Sequence, residues 1–103
     1  MAIFLLKKSY QVSNQKEIGF KDLWGSHGVF TTIRLLGKPG KLILFKSHFK
    51  GLIKSLKKYK IYSKNIEINI KRLIYSSINK KINYDHLFRI ALTKKFISIS
   101  IRK

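Results

Sequence analysis

The chain has 103 residues, with 23 Lys or Arg against four Asp or Glu, a formal net charge of +19 and no cysteine. That length holds one domain, and the lack of cysteine excludes a disulfide framework, thiolate chemistry and cysteine-ligated metal. With 45% hydrophobic residues the chain can bury a core, so the charge is not a sign of disorder.

Residues 2–6 (AIFLL) are an apolar run cut off by Lys7 and Lys8. The run is too short for a signal-peptide core and far below the ~20 residues that span a bilayer. No membrane partner and a cytoplasmic location are therefore expected. It reads as a short buried β-strand, followed by a polar stretch over residues 7–16 in which Ser13, Asn14 and Gln15 supply turn character. Residues 18–20 read as a second short strand. Trp24-Gly25-Ser26-His27-Gly28 follows, with two glycines three residues apart, a spacing that suits close backbone approach or positive φ. Residues 30–36 (FTTIRLL) are β-branched and aromatic-rich, Gly37-Lys38-Pro39-Gly40 is a strong turn, and residues 41–45 (KLILF) return as the partner strand.

Beyond Phe45 the hydrophobic period changes from two to 3.6. Phe49, Leu52, Ile53 and Leu56 share one face, with Lys50, Lys54, Lys57 and Lys58 on the other, which predicts an amphipathic helix from about Ser47 to Tyr59. A second helix is expected with Ser63 as N-cap, Glu67 at its positive end, Ile66, Ile70, Leu73, Ile74 and Ser77 as its stripe, and Asn79 as its terminator. Asn83-Tyr84-Asp85 reads as a turn. Residues 87–93 (LFRIALT) and 96–101 (FISISI) read as two more strands, the last in strict alternation and stopping at Arg102-Lys103 as though cut at an element boundary. The order predicts a single α+β domain over residues 1–103, an antiparallel sheet with two helices packed on one face in two layers.

The charge has two readings. Its positive residues are 19 Lys and four Arg, in a chain also rich in Ile, Asn, Tyr and Phe. All have AT-rich codons, so an AT-biased genome would give this profile with a solvated lysine face. A phosphate- or base-reading surface would favour Arg, whose planar fork makes bidentate contacts. The alternative is a small basic RNA-binding protein, suggested by rings interleaved with lysines in Phe45-Lys46, Phe49-Lys50 and Tyr59-Lys60. Glu17, Asp22, Glu67 and Asp85 form no paired-carboxylate or metal pattern by spacing, and His27, His48 and His86 are too scattered for a ligand set. There is no phosphate-binding loop, dinucleotide fingerprint or nucleophile elbow. No catalytic residue and no metal site is therefore assigned.

Two stretches carry a more specific signal. Gly28-Val29-Phe30-Thr31-Thr32-Ile33-Arg34, then a turn, a strand and Lys46-Ser47-His48-Phe49-Lys50-Gly51-Leu52 opening a helix, together resemble the small N-terminal domain of fold-type IV pyridoxal-phosphate enzymes. That family includes class IV aminotransferases and aminodeoxychorismate lyase. The resemblance covers roughly residues 18–101 and is most specific over residues 25–59. It implies that Phe30, Thr32, Arg34 and Arg89 face a substrate pocket, Phe30 as an apolar wall and the two arginines toward a substrate carboxylate. The arginine that binds the cofactor phosphate in the family is Gly51 here, with Lys54 one turn on as its candidate substitute. Ser47 stands in place of a glutamate, and Leu87 in place of a tyrosine. The Schiff-base lysine belongs to a large domain these residues do not include. The resemblance thus implies a truncated, split or degenerate relative, not catalytic alone, that meets pyridoxal phosphate only with a large-domain partner chain or as part of a homodimer.

Overall fold

The computed structural model describes residues 3–23 and 27–103. Its elements run β1 (Phe4–Gln11), β2 (Glu17–Ile18), β3 (Val29–Gly37), β4 (Lys41–Leu42), α1 (Phe45–Lys58), α2 (Ile66–Ser77), β5 (Tyr84–Leu92) and β6 (Phe96–Arg102). The strands form one antiparallel sheet in the order β2-β1-β6-β5-β3-β4. Both helices send their apolar stripes into one core with the sheet. This is the two-layer α+β fold the element order predicts.

The last two strands form the centre of the sheet. The β5–β6 hairpin is wedged between β1 and β3, so its residues need apolar neighbours above. Phe88, Ile90 and Leu92 of β5 and Ile97, Ile99 and Ile101 of β6 supply them, with Ile33 and Leu35 of β3 beside them. Phe49, Leu52, Ile53 and Leu56 of α1 and Ile66, Ile70, Leu73 and Ile74 of α2 close the core from above. Each such side chain, taken from water, contributes about 1.5–3 kcal/mol. The α2 stripe lies where the 3.6-residue period puts it, Ser77 included, whose hydroxyl donates to the Leu73 carbonyl at 2.7 Å.

Two glycines make tight passages possible. Gly37 takes φ +91° at the start of the hairpin turn, a region open to glycine at little cost. A Cβ on Gly28 would stand 2.1 Å from the Leu92 carbonyl oxygen, so the chain can enter β3 beside the end of β5 only without a side chain there. The close approach expected of this glycine pair is thus present at Gly28; Trp24, Gly25 and Ser26 lie outside the described residues, as does Ala2.

Several boundaries differ from expectation, each for a local reason. β1 runs on to Gln11, and its first residues are not buried: Phe4 and Leu5 are exposed. The strand slips register against β6 between Phe4 and Leu6, and β2 pairs only with Ser9 and Tyr10, so the start of β1 is rim rather than core. β2 ends at Ile18, short of Phe20. β4 stops at Leu42, and α1 starts at Phe45, because Leu44 turns to φ 56° and its carbonyl accepts the first helical bond from the His48 amide at 3.1 Å. The N-cap of α2 is Asn65, not Ser63, at φ 70°, a conformation asparagine tolerates. β5 begins at Tyr84, so the expected turn at residues 83–85 falls earlier, at residues 80–82. There the Asn79 side chain accepts from the Lys81 amide, and the Asn79 amide donates to the Tyr84 hydroxyl.

Among the described residues no helix covers the other face of the sheet. Residues 19–23 cross part of it and bury Leu23 against it. Under this segment lie Ser9 and Ser98, both buried, in a closed ring of hydrogen bonds. The Lys21 amide donates to Ser9 Oγ (2.8 Å), Ser9 and Ser98 share a bond of 2.7 Å, and Ser98 Oγ donates to the Lys21 carbonyl (2.7 Å). The alternation of FISISI is therefore real, yet its serine side is covered, and the hydroxyls satisfy the backbone of the segment that covers them.

Candidate functional site

The register of the sheet decides which side chains meet on the helix-free face. Phe30 lies opposite Ala91, Thr32 opposite Arg89, and Arg34 opposite Leu87, while Arg89 and Leu87 in turn face Ser100 and Arg102 of β6. Three adjacent strands thus place Phe30, Thr32, Arg89, Ser100 and Arg102 on one patch. Lys7 joins from β1, opposite Ser100, and Phe4 pairs with Arg102. The crossing segment contributes Phe20 and Asp22. Together these residues line a concavity of about 270 Å³.

Its chemistry is mixed. Phe4, Phe20 and Phe30 give it apolar walls, Phe30 remaining 56% exposed. Arg89, Arg102 and Lys7 bring three cations against the one carboxylate of Asp22. The Arg89 guanidinium lies over the Phe30 ring at 5.0 Å, and the Lys7 ammonium lies 4.9 and 5.3 Å from the rings of Phe4 and Phe20. Cation–π contacts of this kind hold charge against the rings and orient it. A small anion with an apolar tail matches such a surface.

Of the four pocket residues expected from the sequence, three meet here. Arg34 shares the face but stands outside the concavity. Its guanidinium binds the Asp85 carboxylate at 2.5 Å, in a pair more than half exposed on both sides and worth at most about 1 kcal/mol. Lys7, Asp22, Ser100 and Arg102 were not singled out from the sequence. Ser100 and Arg102 were within reach of it, since they alternate with buried isoleucines, but only the long-range pairing of β1, β5 and β6 brings them to Arg89.

Gly51 and Lys54 lie elsewhere. Both are exposed on α1, across the sheet from the concavity. Space is open where a side chain at Gly51 would stand. Lys54 lines a groove between the helices with Lys50, Lys57 and Lys71. Gly51 and Lys54 on the one side and the concavity on the other are therefore separate places in this fold.

Each histidine has a contact within the chain. His48 Nδ1 bonds Thr31 Oγ1 at 3.2 Å, tying α1 to β3, and His86 Nδ1 accepts the Asp85 amide. His27 meets the edge of the Tyr59 ring. Among the described residues no three His, Cys, Asp or Glu could hold a metal ion, and no helix is long and apolar enough to cross a membrane. The phenol of Tyr62 is pushed above its ordinary value because its hydroxyl donates to Glu67 at 2.8 Å. No protein-family profile matches the chain, and neither a curated protein nor a solved structure matches it.

Proposed function

We propose that this chain is a small-domain module of the class IV aminotransferase and aminodeoxychorismate-lyase type, forming the carboxylate-binding wall of a pocket that a lysine-bearing large domain completes. The observation that carries the reading is the meeting of Phe30, Thr32 and Arg89 in one concavity on the helix-free face. A wall of this kind offers a guanidinium for a substrate carboxylate and rings for its side chain. The bare sheet face is where a second domain would close over it. Pyridoxal phosphate would be held by that domain, in the same chain or another, and no step of its chemistry is assigned to residues of this one.

The test is a titration of the isotope-labelled chain with a small branched 2-oxo acid, followed by amide NMR. Saturable shifts at Phe30, Thr32, Arg89 and Ser100, lost in Arg89→Gln, are expected. Shifts confined to the lysines of α1, or none at millimolar ligand, would refute the reading.

A further inference from the structure

We propose that the groove between α1 and α2 binds single-stranded nucleic acid, with phosphates on its lysines and an unpaired base on Tyr75. The groove lies across the sheet from the carboxylate concavity, so this inference does not rest on that reading. Its cations follow α1: Lys46, Lys50 and Lys54 succeed one another at steps of four residues, about 6 Å each, and Lys57 continues the line. Lys71 faces them from α2. Among the described residues that line the groove the carboxylate is that of Glu67, whose oxygen already accepts the Tyr62 hydroxyl. Five ammonium groups against one engaged carboxylate call for an occupant that is itself densely anionic.

The floor says which anion. Phe45 stacks on Phe49 with ring centroids 5.3 Å apart, and Tyr75 stands 6.3 Å from Phe45. Phe45 lines both this hollow, of about 460 Å³, and a second of about 480 Å³ that is bordered by Tyr75, Pro39, Lys41 and Lys80. The row of rings therefore continues from buried Phe49 to Tyr75, which is 62% exposed and presents a flat apolar surface beside the lysines. Alternating charge and ring is the pattern that tracks a sugar–phosphate strand while stacking its bases. A duplex keeps its bases covered and could use only the lysines. An acidic helix presents a carboxylate on one face only about once per turn, roughly every 5.4 Å, and has no planar group for Tyr75.

With a net charge of +19 any polyanion will adhere somewhere, so the experiment must separate this groove from diffuse attraction. Fluorescence anisotropy with labelled oligo-U and oligo-dT of about twelve nucleotides is compared between two variants of equal charge. One is Lys50→Gln/Lys54→Gln/Lys71→Gln in the groove; the other, the edge variant, is Lys16→Gln/Lys94→Gln/Lys95→Gln in the β1–β2 and β5–β6 turns, where the strands end. The groove variant should lose about tenfold or more in affinity, and its log–log salt slope should become shallower by about 2, three contacts at roughly 0.7 each. The edge variant should change less than about threefold. Tyr75→Ala should lose about tenfold without altering the slope. Binding of either strand supports the proposal, the two arms identifying the preferred sugar. Equal losses in the two triple variants, an unchanged Tyr75→Ala, no binding at all, or equal binding of a duplex or an oligoglutamate would each overturn it.

Discussion

Replacing Ser98 by alanine should loosen the segment that carries Phe20 and Asp22 to the concavity. In the wild-type ring each hydroxyl both donates and accepts, and the Lys21 amide and carbonyl are both satisfied from below. Removing Ser98 Oγ takes away the donor to the Lys21 carbonyl and the acceptor for the Ser9 hydroxyl. Ser9 can swing toward the Lys21 carbonyl, but the contact is 3.5 Å, too long to recover much. Two bonds at a net value near 1 kcal/mol each, in a buried setting, give an expected loss of about 2 kcal/mol. For a chain of this size, at about 4–8 °C per kcal/mol, that lowers Tm by roughly 8–16 °C. Urea unfolding followed by circular dichroism reads the stability, and native-state hydrogen exchange at the Lys21 amide reads the segment itself. Ser9→Ala should also destabilise, and the double variant should lose less than the sum, because the first break already opens the ring. A loss under about 0.5 kcal/mol with unchanged exchange at Lys21 would refute the claim that these serines hold the crossing segment.

Gly28→Ala places a methyl group against the Leu92 carbonyl and should cost about 1–3 kcal/mol, with the largest amide shifts in NMR spectra at the β3–β5 junction. Gly51→Ala should do the opposite, adding about 0.8–1 kcal/mol in urea unfolding, since its Cβ enters open space in a helix interior. Tyr62 should titrate at higher pH than a free tyrosine in ultraviolet difference spectra, and Glu67→Ala should return it toward the ordinary value. The sign for stability follows from the raised value. The protonated phenol is favoured in the folded state, so its contribution is present below the unfolded pKa and is lost as pH rises through the folded one.

Local pattern made much of this fold legible. The stripes of α1 and α2 needed only the 3.6-residue period, and the strand at residues 30–36 needed only β-branched composition. Where a helix start moved, the cause was a left-handed backbone turn with no side-chain cap. Leu44 and Asn65 enter their helices through left-handed conformations without a side-chain cap, so neither start could be read from Ser or Asp placement. The serines of β6 show a different limit. Alternation marked them as facing away from the core, but their burial depends on a segment roughly eighty residues upstream in sequence folding across them. The site divides in the same way. Phe30, Thr32 and Arg89 could be named from local motifs, whereas Lys7, Asp22 and Arg102 join them only through sheet order, which short-range pattern does not encode.

The helix-free face of the sheet, only partly crossed by residues 19–23, has a consequence for how the protein behaves as a colloid. Phe4, Phe20 and Phe30 stand in water on that face, a surface that would ordinarily invite copies to stick together. A net charge of +19 on a chain this small keeps such faces from meeting, as long as the repulsion reaches across the gap. At 0.1 M salt it reaches about 10 Å, and at 1 M only about 3 Å. Solubility should therefore fall as salt is added, the reverse of what a lysine-rich exterior suggests at first sight. The lysines act as a spacer between otherwise adhesive molecules, and ionic strength sets how long that spacer is.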